Sequence, residues 1–198
     1  LAKKVFVGKR EDKHSVSQKT IHSIMAEEVV KGKMIVRLKG GDPFMFGRGG
    51  EEVIALAELN IPFEVIPGIT AGLGAAAGFG IPLTHRDDAT STLFITGHQC
   101  RSAEKQNWET LAKLNSTLVF YMGVKRLTEI VMCLVQNGKP KETPIAIVEN
   151  ATMVSQNILT STLGSILLDI NHKKPITPAI IIIGSVVKYH SQMQEYLD

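Results

Sequence analysis

Short runs rich in Val, Ile and Thr alternate along this chain with longer segments whose apolar residues recur at helical spacing. That alternation restricts the fold more than any other feature. The runs 4–7, 34–38, 63–66, 92–96, 117–122, 144–148, 156–160 and 179–184 predict strands. Segments 17–31, 50–59, 70–78, 108–114, 126–137, 163–170 and 189–197 predict helices. Ile21, Ile24, Met25 and Val29 share one helical face, as do Leu127, Ile130, Val131 and Leu134. Strands interleaved with helices define an α/β fold with partly parallel sheets. The polar stretch 82–89 follows a Gly-rich helix and precedes a strand, so a domain boundary is expected there. It divides the chain into an N-terminal α/β domain, 1–88, and a C-terminal α/β domain, 89–198.

Composition narrows the class of function. With 198 residues, 44% hydrophobic and 21% charged, the chain can bury a core and is not a disordered segment. A net charge of +3 is too small to argue for nucleic acid, and it suits an anionic small molecule as readily as no ligand. The longest apolar run, Ala179 to Ile183, is far too short to span a bilayer, so no membrane partner is expected. Cys100 and Cys133 form no CxxC pair and are expected to be reduced thiols in a cytoplasmic protein. No metal is expected. The chain opens Leu-Ala-Lys-Lys and passes directly into Val5–Val7, with no signal peptide; it is expected to start inside a domain.

Four segments carry the residue types of a binding site. The densest runs from Val36 to Glu52 and reads as strand, Gly-rich loop and helix. Gly40 and Gly41 are free to take positive φ and to let backbone amides approach a ligand, and Asp42 follows at a strand end, where ligands of open α/β sheets bind. Glu51 and Glu52 suit the positive end of the next helix. The glycines by themselves are equally compatible with a plain tight turn, and the run matches neither nucleotide-binding fingerprint. A second segment, 67–80, places Thr70 as N-cap of a helix made almost wholly of Gly and Ala. Such a helix is weak unless something packs very close to it, more commonly another part of the protein than a flat ligand. The third, Pro82-Leu-Thr-His-Arg-Asp-Asp88, offers His85 and Arg86 to a carboxylate. The fourth, Val7-Gly-Lys-Arg10, presents Lys9 and Arg10 either to a polyanion or to water.

Taken together, and in this order and spacing, the 36–52 run, Pro67-Gly-Ile-Thr-Ala71 and Pro82-Leu-Thr-His-Arg86 resemble the uroporphyrinogen-III C-methyltransferase branch of the tetrapyrrole methylases. Val5-Phe-Val-Gly-Lys-Arg10, Phe120-Tyr-Met-Gly123, Val148-Glu-Asn150 and Pro178–Gly184 match as well. The resemblance implies a two-domain homodimeric enzyme that holds S-adenosylmethionine in the cleft between its domains and methylates uroporphyrinogen III to precorrin-2 by way of precorrin-1. It places the donor at Gly40, Gly41, Asp42, Met45, Thr70, Ala71, Met122 and Ala151, and it assigns Lys9 as proton donor. Ala151 stands where close relatives carry Gly, which is tolerable only at negative φ. Relatives that act on later corrin precursors depart from the Gly40 loop.

In such an enzyme the sulfonium already activates the methyl carbon, so the protein chiefly aligns the reactants, an effect that can supply ~7–11 kcal/mol of the barrier. The attacked ring must then lose a proton. Arg10, Lys39, Arg48, His85 and Arg86 are the candidates to meet the substrate's carboxylates. The family's first strand, its Gly-Pro-Gly-Asp loop and an acidic residue have no counterpart in this sequence. The expectation is therefore of weak turnover with some donor binding retained, or of a fragment that binds without catalysis.

Overall fold

The computed structural model describes residues 2–8, 16–97, 106–172 and 174–196. The chain separates into two compact units, Leu1–Gly68 and Ile69–Asp198.

In the first unit, α1 spans Gln18–Val30 and α2 spans Gly49–Glu58. Ser17 starts α1 by accepting the Thr20 N–H at 3.1 Å, which satisfies one of the amide groups a helix start leaves unpaired. Ile21 and Met25, one turn apart, are the buried residues of that helix. The strands expected at 4–7, 34–38 and 63–66 are not formed among the described residues. Branched side chains favour a strand only where a second strand lies alongside to complete the ladder. No such pairing occurs in this unit among the described residues, and Met34, Val36, Leu38 and Ile66 stand exposed.

The second unit is built on one mixed sheet. Its strands are β1 (Thr92–Thr96), β2 (Thr117–Tyr121), β3 (Pro144–Glu149), β4 (Asn157–Thr162) and β5 (Ala179–Ile183). They lie in the order β1-β2-β5-β3-β4. Only β1 and β2 run parallel; the other pairs are antiparallel. Register aligns Phe120, Ile181 and Ile147 across the three central strands, and Leu118, Ile183 and Ile145 two residues away. These six side chains share a face because successive residues of a strand alternate sides. They pack with Trp108 and Leu111 of α4 (Trp108–Lys113) and with Leu127, Ile130 and Leu134 of α5 (Leu127–Gln136). The opposite face, which includes Val119 and Tyr121, meets α3 (Ala71–Gly78). Burial on both faces explains why the central strands read as unbroken apolar runs. Helices α6 (Ile166–His172) and α7 (Tyr189–Met193) complete the unit.

The packing division at Gly68 precedes the boundary expected after Asp88. Segment 69–88 groups with the sheet because α3 is bonded to β2 through Tyr121.

Candidate functional site

The Gly-rich loop of the first unit is tied down by a buried carboxylate. Glu52, in the first turn of α2, accepts from Lys39 Nζ at 2.7 Å, Gln18 Nε2 at 2.8 Å and Arg37 Nε at 3.2 Å. Its side chain is 5% exposed and that of Lys39 11%. Lys39 also donates to the Gly47 carbonyl at 2.5 Å, so one ammonium joins both ends of the loop. Burial pushes the Glu52 carboxyl up, but hydrogen bonds from Lys39 and Gln18 and the charge of Arg37 outweigh it and hold it below its ordinary 4.5. This cluster was not anticipated. Its signal was available, since Arg37 and Lys39 are two residues apart and so fall on one side of an extended segment.

Asp42 ties the loop to the backbone at Phe44 and at Gly68. Its two carboxylate oxygens accept separately, one from the Phe44 N–H at 2.9 Å and the other from the Gly68 N–H at 3.2 Å. The Gly68 and Phe44 amides hold it below the usual carboxylate range. Positive φ falls not on Gly40 or Gly41 but on Phe46 and Arg48, at 52° and 59°. Glycine is required a little further on, where a Cβ on Gly49 would lie 2.4 Å from the Pro43 carbonyl oxygen. At Gly40 a Cβ would meet nothing within 4 Å, so the loop is open on that side. Met45 donates its N–H to the Asp42 carbonyl, and the Arg48 guanidinium forks onto the exposed Glu51 carboxylate at 2.8 and 2.6 Å.

In the second unit Thr70 is the N-cap of α3, as expected, but its hydroxyl makes no cap bond. It lies 2.7 Å from the Tyr121 hydroxyl, which also accepts the Gly72 N–H at 2.7 Å. Close protein packing accounts for the Gly/Ala helix here: a Cβ on Gly72 would sit 2.6 Å from the Tyr121 oxygen and 2.9 Å from the Phe94 ring. A Cβ on Gly74 would lie 3.3 Å from Thr152 Cγ2, which brings α3 beside the turn that contains Ala151. Positive φ in that turn falls on Asn150 and Thr152 and not on Ala151, so the alanine is accommodated. Met122, directly after β2, takes φ 54° and is exposed.

Segment 82–88 is fastened to the chain's last helical region. The Lys188 ammonium pairs with Asp88 Oδ1 at 2.7 Å, and the Tyr189 hydroxyl donates to Oδ2. The Asp88 bond raises the Tyr189 phenol to about 12, while Lys188 and Tyr189 hold Asp88 low. His85 stacks on the Tyr189 ring at 4.4 Å, and its Nδ1 accepts the Asp87 N–H at 3.2 Å. Arg86 is exposed. Lys9, Arg10 and Cys100 lie outside the described residues. Cys133 is a free, partly buried thiol. Among the described residues there is no group of three or more His, Cys, Asp or Glu side chains that could hold a metal ion. No helix among them is long and apolar enough to cross a membrane.

Comparison with known proteins places the chain in one family. The family model of the Tetrapyrrole (Corrin/Porphyrin) Methylases matches residues 2–167, and the chain belongs to that family. The siroheme synthase of Actinobacillus pleuropneumoniae serotype 7 is 52% identical over 192 residues, covering 97% of this chain. This chain spans 39% of that relative's length. A solved structure of uroporphyrin-III C-methyl transferase from Thermus thermophilus, complexed with S-adenyl homocysteine, is similar with a TM-score of 0.73 and 33% identity, covering 86% of this chain and 74% of that one. The native form of the Thermus thermophilus enzyme is similar with a TM-score of 0.75 and 34% identity, covering 93% of this chain and 77% of that one.

Proposed function

We propose that this chain transfers methyl groups from S-adenosylmethionine to carbon atoms of uroporphyrinogen III, giving precorrin-1 and then precorrin-2. The observation that carries the reading is the Gly40–Glu52 loop, which is pinned by the bonds of Asp42 and of Glu52 and left open at Gly40. A loop whose own carboxylates are occupied by its backbone and its cations presents main-chain groups to a ligand. The similarity to a C-methyl transferase complexed with S-adenyl homocysteine supports the same reading.

In this proposal the donor, when bound, supplies an electrophilic methyl carbon. Gly40, Gly41, Asp42, Met45, Thr70, Ala71, Met122 and Ala151 are the residues proposed to hold it, largely through main-chain groups. Asp42 acts by fixing the loop, because both of its oxygens already accept from the protein. Arg10, His85 and Arg86 meet substrate carboxylates. Lys39 and Arg48 were expected in the same role; each is paired with a glutamate, so either must share its charge with that partner to join them. Lys9 is the proton donor. Homodimeric assembly and a cytoplasmic location belong to the same proposal.

Two measurements on the chain test it. Calorimetry with S-adenosylhomocysteine is expected to give one saturable site. Incubation of uroporphyrinogen III with methyl-labelled donor is expected to place label on the tetrapyrrole. Label carried only to a later corrin precursor would overturn the substrate assignment. Binding without any transfer would favour a binding module over an enzyme.

A further inference from the structure

The hydroxyl of Tyr121 has a task that its place in a strand does not require. β2 is buried along its whole length, and a phenylalanine would fill the Tyr121 position with nearly the same shape. The ring already packs edge-on to Phe94, with centroids 6.0 Å apart. The oxygen reaches past that packing to α3. There it accepts from the Gly72 N–H and lies against the Thr70 hydroxyl, each at 2.7 Å.

Gly72 is the second residue of α3, so its N–H has no acceptor within the helix. Ordinarily the N-cap side chain would take such a group. Thr70 has the extended backbone of an N-cap, with ψ 146°, yet its side chain makes no cap bond. Tyr121 therefore caps α3 from the neighbouring strand and holds the Thr70 hydroxyl as well. Gly72 independently shows that this approach is tight, because a Cβ there would collide with the Tyr121 oxygen, the Phe94 ring and Val119. Thr70 and Tyr121 are 6% and 7% exposed, so water does not replace these bonds readily.

We propose that Tyr121 is a positioning residue for the methyl donor. It fixes Thr70 and Ala71 at the start of α3 relative to Met122, which follows it in the chain. The inference rests on the donor-binding reading above, which assigns Thr70, Ala71 and Met122 to the donor. Tyr121 itself touches α3 and needs no contact with the donor.

The test uses the full chain and S-adenosylhomocysteine as probe. Removing the oxygen in Tyr121→Phe leaves the ring packing but strips a buried N–H and a buried hydroxyl of their partner. Dissociation constants for the probe are expected to rise about tenfold, the size of one such lost bond. Binding of uroporphyrinogen III is expected to change less than twofold. Thr70→Val removes the other hydroxyl and keeps the side-chain volume. It is expected to weaken the probe selectively as well, and the double variant is expected to lose less than the product of the two single losses. A purely structural tyrosine would lower the thermal midpoint and leave the probe's affinity for the folded protein unchanged, which overturns the proposal. Should Tyr121→Phe fail to fold, an unchanged probe affinity in Thr70→Val overturns it equally. A wild-type chain that binds no probe overturns the donor-binding reading and this inference with it; a wild-type chain that binds beside indifferent variants overturns the inference alone.

Discussion

The two units solve the same problem, holding a loop in one conformation, by opposite means. In the second unit the turns after β2 and β3 spring from a sheet whose central residues are wholly buried and apolar. In the first unit the Gly40–Glu52 loop hangs on ions: Glu52 with Lys39, Arg37 and Gln18, and Asp42 with two backbone amides. Apolar packing is non-directional and carries no charge to be screened or titrated, whereas a buried carboxylate is only as secure as its partners. The Gly40–Glu52 loop should therefore respond to charge and acid, and the central strands of the second unit to volume.

The largest expected effect is on the sheet. Phe120→Ala should destabilise the second unit by about 3–5 kcal/mol, measured by denaturant unfolding, because Phe120 is fully buried between Ile181 and the helices. The loss should be the same at low and high salt; a strong salt dependence would break the contrast between the units. Next comes Glu52→Ala, expected to cost about 3 kcal/mol by leaving the Lys39 ammonium in a nearly closed site without its counter-ion. Hydrogen exchange should show the loss at residues 37–52 and not at 118–120.

Acid should sharpen the same comparison. Glu52 and Asp42 both have carboxyls held below their ordinary values, 4.5 and 3.8. A depressed folded pKa contributes stability that is fully present above the unfolded value and is lost as pH falls through the folded one. Protection of residues 37–52 should thus fall progressively below about pH 4.5. The Glu28 carboxyl, hydrogen-bonded by Lys33 and Lys31, is held at about 2. The amides of residues 118–120 and 181–183, with no carboxylate among them, should keep their protection until global unfolding.

Smaller effects concern ligands. Asp42→Asn retains one acceptor for two amides, so affinity for S-adenosylhomocysteine is expected to fall about tenfold. Arg86→Ala should leave that affinity within twofold and weaken the tetrapyrrole instead; the reverse pattern in titrations would undo both assignments. Smallest of all is Lys113→Ala, which breaks the exposed Lys113–Glu109 pair on α4. Its thermal midpoint should match the parent's, since such exposed pairs are heavily solvated.

Much of this chain was legible before any coordinate. Each expected helix is present within a few residues, because apolar spacing and cap residues such as Ser17 are local signals. The five strands of the second unit were legible too, since branched apolar runs there find neighbours of the same kind. The family was readable from the Gly40 loop, whose tight turn fixes residue types at fixed spacing. What sequence could not decide was pairing. The runs at 34–38 and 63–66 look as strand-like as β5, yet a strand is a relation between two segments, and no single window records its partner. Nor could it decide which polar atoms meet. Glu52 read as a helix-start acid and is a buried counter-ion; Thr70 read as an N-cap, and its hydroxyl instead meets Tyr121, fifty-one positions away. Periodicity and turn chemistry act over a few residues and survive in the sequence. Hydrogen bonds across such separations depend on how whole elements dock, and only the tertiary structure fixes that.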